Sequence, residues 1–262
     1  FMAVPTIYSK LVAAWGKAPE KERQKMSRSC ARLRLMVSGS AALPIDVFEK
    51  WEQISNHRLL ERYGMTEFGM ALSNPLEGER RAGFVGLPLP QVEVRLTDAS
   101  GRVLTQENQA GEIQVRSEGV FQGYLGKPEA TKQAFQDGWF RTGDEGIVEN
   151  GYYRILGRSS IDIIKTGGHK ISALEIEEVF RTHPLINECA VVGIADEEWG
   201  ERVCAAVIPD SDASLFPEEL RRWGKERLAP YKNPTEWMIV TELPRNAMGK
   251  VIKPAIKKWF QS

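Results

Sequence analysis

Little in this chain invites a disulfide or a zinc ion. Its 262 residues hold three cysteines and three histidines. Cys30, Cys189 and Cys204 are odd in number, widely spaced and set in apolar surroundings, which excludes a disulfide framework and reads as buried thiols in a reducing compartment. His57, His169 and His183 have no ligand spacing with one another or with a cysteine, which argues against a zinc site. Charge of one sign is also missing. The 35 Lys and Arg balance the 35 Asp and Glu, so no surplus of cation collects nucleic acid by counterion release. No apolar run reaches the roughly 20 residues that span a bilayer. Phe1 opens directly into the apolar stretch FMAVPTIYSKLV, with neither a charged leader nor the Arg and Ser bias of a transit peptide, and reads as a cut edge. What remains is a soluble intracellular protein of the cytosol or mitochondrial matrix, with no obligate protein partner evident. Its apolar fraction of 42% is ample for a core.

The chain changes character twice. Thr6 to Trp15 reads as a helix, Leu33 to Val37 as a short strand ending in the small-residue turn SGSAALP, and the stretch after Pro44 as a helix with Val47, Phe48, Trp51 and Ile54 on one face. From about Gly83 the period becomes two, with Val92, Val94 and Leu96, then Ile113 and Val115, which predicts a barrel-like antiparallel sheet. After Gly157-Arg158 the pattern runs strand (161–164), glycine turn, helix (173–182), strands (189–194 and 203–208), helix (217–228), strand (237–240) and a terminal helix. The fold class is mixed α/β, with residues 1–157 as one domain and 158–262 as a second, smaller one. There is no internal repeat and no low-complexity segment.

Five polar patches make chemical sense together. SGSAAL, Ser38 to Leu43, places small residues after a strand, where backbone can lie against a planar ligand. ERYGMTE, Glu61 to Glu67, reads as a glycine turn carrying Arg62, a hydroxyl on Thr66 and a carboxylate on Glu67 suited to Mg²⁺. DGWFRTGD ends in Asp144, which can grip vicinal hydroxyls as an acidic residue grips a ribose, although Asp144 also fits an Asx-turn. LGRSSID offers Arg158 for a phosphate or ribose oxygen. PRNAMGK offers Lys250 as a point charge for a developing anion.

The ordered set YGMTE, GWFRTGD, GRSSIDIIKTGGHKISALEIE and PRNAMGK resembles the C-terminal half of the adenylate-forming superfamily of acyl-CoA synthetases. The resemblance covers essentially the whole chain. It implies the later part of a large AMP-binding domain followed by a small mobile lid, and ligation of a carboxylate to coenzyme A through an acyl-AMP formed from ATP with Mg²⁺. It implies that Ser40, Ala41, Tyr63 and Gly64 flank the nucleotide, that Thr66 meets phosphate and Glu67 the metal, and that Asp144 and Arg158 hold the ribose. Lys250 would bridge carboxylate and α-phosphate. The lid of such enzymes rotates about a hinge, here Ser159 or Ser160, and then presents Gly167 and Gly168 to the CoA arm. The hinge departs from the common pattern, with Ser160 where an Asp or Lys is usual and one extra residue before Asp162.

Within the superfamily, LLERYGMTEFGMALSNP, VSGSAALP and PRNAMGK most resemble malonyl-CoA synthetases, the acyl-CoA synthetase family member 3 type among them. A dicarboxylate needs a second cation, and Arg62 with Ser40 can supply it, unless Arg62 pairs with Glu61 or Glu67. The substrate is then malonate or methylmalonate. The alternatives are a short- or medium-chain or coumarate-type ligase, an adenylation domain that loads a carrier protein, and a truncated nucleotide-binding module. The superfamily's Ser, Thr and Gly-rich phosphate loop has no counterpart within these residues, so the chain by itself is expected to bind ATP weakly and to turn over little.

Overall fold

Apolar residues at helical spacing form the helices they predict. The computed structural model of the chain describes residues 1–210, 216–246 and 249–261. Its contacts divide it into two units, Phe1–Ile155 and Leu156–Ser262.

In the first unit the helix Ile45–Ser55 buries Val47, Phe48, Trp51 and Ile54. These pack with Tyr8 of the helix Pro5–Lys17 and with Met36, Leu43 and Leu59. A second helix, Glu20–Ala31, had no forecast in the sequence, because its run EKERQKMSRSCA buries nothing and has no apolar stripe. The predicted strand 33–37 shrinks to Val37–Ser38. It lies between Met2–Ala3 and Leu60–Met65, parallel to both, and the sheet continues antiparallel through Gly69–Ser73 and Leu87–Pro88.

The period-two region forms an antiparallel sheet, open rather than barrel-like. Its order is Tyr152–Arg158, Trp139–Glu149, Gly111–Arg116, Glu93–Thr97, with Phe135–Gln136 pairing the long strand. The tight link Asn150-Gly151 takes positive φ at both residues, the hairpin chemistry expected of Asn-Gly. Leu96, Ile113, Val115 and Phe140 pack with Phe68 and Leu72, so one core joins the two sheets.

In the second unit the sheet runs His169–Ser172, Ile163–Thr166, Gly200–Pro209, Ile186–Asp196, with Glu236–Ile239 parallel to Gly200–Pro209. Both faces of its central strands are apolar. Val191, Val203, Ala205 and Val207 meet the helices Ala173–Arg181 and Pro217–Lys225 through Ile176, Phe180 and Leu220. Ala190, Val192, Cys204 and Ala206 meet Ile256 and Phe260 at the terminal helix Lys253–Trp259. Cys189 and Cys204 are buried, and burial pushes both thiols up, Cys204 to about 12. No helix among the described residues is long and apolar enough to cross a membrane.

Candidate active site

ERYGMTE is a strand running into a tight hairpin, and Gly64 lies in the strand rather than in the turn. Leu60–Met65 pairs with Gly69–Ser73, the register slips between Tyr63 and Gly64, and Thr66, Glu67 and Phe68 form the turn. The left-handed φ that a tight turn needs is supplied by Gly69, at +67°. Gly64 is needed for closeness. A Cβ there would lie 2.0 Å from the Gly69 carbonyl oxygen and 2.8 Å from Met70 Sδ. A backbone carbonyl cannot move that far without opening the hairpin. Gly64→Ala is therefore expected to destabilise the protein by about 1–3 kcal/mol, as overpacked sites do. Gly69→Ala, with open space around its Cβ, should cost less, about 1 kcal/mol, all of it from the left-handed φ that alanine must adopt there. Urea unfolding of the two variants checks the order, and equal midpoints would refute it.

Two aromatic hydroxyls orient the carboxylates of the hairpin region. Tyr63 donates its phenol proton to Asp144 Oδ2 at 2.7 Å, across 81 residues of sequence. Asp144 is 8% exposed and sits within the strand Trp139–Glu149, not in a turn. The turn of DGWFRTGD is Asp137-Gly138, both at positive φ. Thr142 Oγ1 accepts the Asp144 N–H at 3.1 Å and donates to the Ile113 carbonyl at 2.8 Å, which fixes the backbone that carries the acid. Tyr124 donates to Glu67 Oε1 at 3.0 Å, and the Glu67 carbonyl accepts the Phe121 N–H at 2.7 Å. One oxygen of Glu67 is thereby held while the other has no hydrogen-bond partner among the described residues. A single oriented carboxylate suits Mg²⁺, which keeps several waters and takes its other ligands from substrate phosphates. Nothing in the spacing pointed to Tyr124; its only sequence signal is a position between Gly123 and Gly126.

Arg62 does not pair with Glu61 or Glu67. Glu61 is buried, and its Oε1 accepts the Leu43 N–H at 3.2 Å. The Arg62 guanidinium instead lies over Gly39, where a Cβ would come within 2.9 Å of Cζ and Nε. Gly39 thus makes room for the arginine on the neighbouring parallel strand. Met2, Ala3, Val4, Val37, Gly39, Ser40 and Arg62 line a cleft of about 190 Å³. Ser40 enters it at φ +71°, a left-handed conformation rare outside glycine, and Ala41 beside it is exposed. The cleft joins a cation with no ion pair among the described residues to a hydroxyl and a small apolar wall. Such an arrangement is chemically suited to an anionic group.

The remaining candidates lie on separate loops of the second unit. Ser159 and Ser160 occupy a turn in which the Ile161 and Asp162 N–H groups donate to the Arg158 carbonyl. Asp162 Oδ2 accepts the Arg158 N–H at 3.0 Å. Gly167 and Gly168, at φ +54° and +80°, turn a hairpin between Ile163–Thr166 and His169–Ser172 rather than leading into a helix. Trp199, 50% exposed, packs against Gly167, where a Cβ would meet its ring at 3.1 Å. The Gly167 N–H also donates to the Trp199 carbonyl at 2.9 Å. This indole escaped the sequence reading, although an exposed tryptophan before a glycine was its available signal. Lys250 is exposed on a stapled loop. Arg245 donates to the Gly249 carbonyl and pairs with Glu188, while Asn246 Oδ1 accepts the Lys250 N–H at 3.0 Å. The lysine side chain itself has no hydrogen bond or ion pair among the described residues. Ala247 and Met248 of the PRNAMGK motif lie outside them.

The model of the AMP-binding enzyme family matches residues 1–125, and that of the AMP-binding enzyme C-terminal domain matches residues 175–250. The chain belongs to the AMP-binding enzymes. Among members of that family, a malonate–CoA ligase of Arabidopsis thaliana is 51% identical over 100% of this chain and 44% of its own length. The mitochondrial malonate–CoA ligase ACSF3 of Bos taurus is 49% identical over 97% of this chain and 47% of its own. The crystal structure of ATP-bound MatB from Rhodopseudomonas palustris superposes with a TM-score of 0.91 at 38% identity, covering 100% of this chain and 50% of that one. The chain thus spans about half the length of the AMP-binding relatives it matches, and its mixed α/β fold is that of their C-terminal region.

Proposed function

We propose that the protein carrying this chain is an ATP-dependent, AMP-forming malonate–CoA ligase. The carrying observation is Arg62, a partly buried cation in a small cleft, with no carboxylate partner among the described residues. The malonate–CoA ligases among its relatives support the same reading. Malonate is attacked by no thiol as it stands, because its oxygen is a poor leaving group. In the first half-reaction a malonate oxygen attacks the α-phosphate of ATP, forming malonyl-AMP and releasing pyrophosphate. In the second the CoA sulfur attacks the malonyl carbonyl, forming malonyl-CoA and releasing AMP.

Arg62 holds the distal carboxylate, so the reacting one is presented toward the nucleotide. Asp144, aimed by Tyr63, accepts the ribose hydroxyls, with Arg158 beside the ribose or phosphate. Thr66 donates to a phosphate oxygen, and Glu67, oriented by Tyr124, holds Mg²⁺, which neutralises charge on the phosphates when bound. Lys250 brings its ammonium to the oxygens where negative charge grows. Residues 1–157 then belong to the adenylation domain and 158–262 to a lid that turns at Ser159 or Ser160. The lid presents Gly167 and Gly168, walled by Trp199, to the pantetheine arm. The mitochondrial name of the bovine relative favours the matrix over the cytosol.

The test is product analysis on the intact protein with ATP, Mg²⁺, CoA and malonate, which should give malonyl-CoA and AMP in equal amounts. Transfer to a phosphopantetheinyl protein but not to free CoA would replace the proposal with carrier-protein loading. Trp199→Ala should slow thioester formation from supplied malonyl-AMP about tenfold, the scale of one lost aromatic contact, while AMP formation in the first step is unchanged. Single-turnover kinetics on the two half-reactions measure this, and a loss confined to adenylation would contradict the assigned wall.

A further inference from the structure

Lys253 opens the terminal helix and is 7% exposed. Its ammonium lies 2.6 Å from Asp162 Oδ1 and 2.8 Å from Glu177 Oε1. Glu177 is itself 5% exposed, and the same oxygen accepts the Val191 N–H at 2.9 Å, with Arg181 Nη1 3.8 Å from its other oxygen. Burial opposes the charge on Lys253, yet the two carboxylates outweigh it and hold the ammonium above the ordinary lysine range. Such buried ion groups seldom add net stability compared with apolar residues of the same volume. Their constraint is geometric, because each member accepts only a few positions of the others.

The segments so constrained are the ones that carry the lid's chemistry. Asp162 closes the Arg158 turn, accepting the Arg158 N–H through Oδ2, while its own carbonyl accepts the Ala173 N–H at the start of the helix Ala173–Arg181. Gly157 leaves space for this, since a Cβ there would stand 2.4 Å from that of Asp162. Lys253 follows Lys250 by three residues, and the Ile252 N–H donates to the Pro244 carbonyl at 2.8 Å across the base of the lysine loop.

We propose that Lys253 is a positioning residue of the adenylation half-reaction: with Asp162 and Glu177 it fixes the Lys250 loop relative to the Arg158 turn. The inference rests on the ligase reading above for its catalytic consequence. It does not rest on it for the coupling of the two loops.

The experiment uses the intact protein and three variants, Lys253→Met, Lys253→Arg and the charge-free triple Lys253→Met/Asp162→Asn/Glu177→Gln. The triple variant removes the three charges together, so that only the part-exposed Arg181 loses its carboxylate partner, and it guards against simple misfolding of Lys253→Met. Adenylation should fall roughly 10- to 100-fold in Lys253→Met and in the triple variant, the scale of a misplaced group, with supplied malonyl-AMP still converted to thioester. Lys253→Arg should restore most of the rate. Hydrogen exchange should quicken at residues 158–162 and 249–252 while the strand Ile186–Asp196 keeps its protection. A triple variant that folds and adenylates at the parental rate overturns the proposal, as does a parallel fall of both half-reactions. If the parent forms no AMP with any carboxylate the ligase reading fails, and the exchange pattern still decides whether Lys253 couples the loops.

Discussion

Lys250→Ala in the intact protein is expected to lose adenylation by about 10²-fold or more, the cost of removing one preorganised donor from a developing anion. It should still convert supplied malonyl-AMP to malonyl-CoA. The asymmetry follows from where charge grows. In the first half-reaction, negative charge gathers on the α-phosphate oxygens as the carboxylate attacks, and a compact ammonium can follow it. In the second, the adenylate already carries its leaving group. The structure supplies what the role needs. The loop is stapled by Arg245 and Asn246, so the backbone at Lys250 is placed, while the side chain stays exposed and unpaired among the described residues. Lys250→Arg should recover little, because a planar guanidinium cannot stand where a point charge must reach two different oxygens. Rapid-quench measurement of AMP-ester formation, beside thioester formation from the isolated adenylate, separates the steps. Equal losses in both would remove Lys250 from the account.

Arg62→Ala carries the second large effect. Malonate should lose roughly 10- to 100-fold in kcat/KM, in line with a charge-assisted hydrogen bond of about 1.5–3 kcal/mol. Acetate, which has no distal carboxylate, should change little. The argument is one of neighbours. Glu61 is turned into the protein toward the Leu43 N–H and Glu67 is held by Tyr124, so neither neutralises Arg62. A partly buried guanidinium resting on Gly39, with no ion pair among the described residues, has its charge left for a ligand. Arg62→Lys should keep part of the malonate preference, with a point charge in place of a fork. If malonate and acetate fall together, Arg62 serves the nucleotide or the fold rather than the choice of acid.

Much of this was legible in the sequence where periodicity and burial coincide. Val47, Phe48, Trp51 and Ile54 announce their helix, and the apolar strands of the second unit are read correctly because both faces of its sheet are covered. Where burial is slight the pattern falls silent, as in the polar helix Glu20–Ala31 and the short strand His169–Ser172, whose first two residues are exposed. Gly64 shows a different limit. A glycine in a motif suggests a turn, but this one is demanded by a carbonyl across a slipped register, which one strand alone cannot reveal. The candidate residues were visible as types and order, whereas their orienting partners were not. Tyr124 reaches Glu67 across 57 residues and Lys253 reaches Asp162 across 91, distances over which spacing carries no information. A possible Arg62 ion pair was likewise undecidable until Gly39 was seen beneath it.

The central claim is best tested by AMP release from the intact protein, parent and Arg62→Ala, supplied with malonate, methylmalonate, acetate, octanoate or an aromatic acid. The account predicts that the parent prefers malonate and that the variant loses this preference while keeping its slow reaction with acetate. Preference for a monocarboxylate in the parent, unchanged by Arg62→Ala, would contradict it.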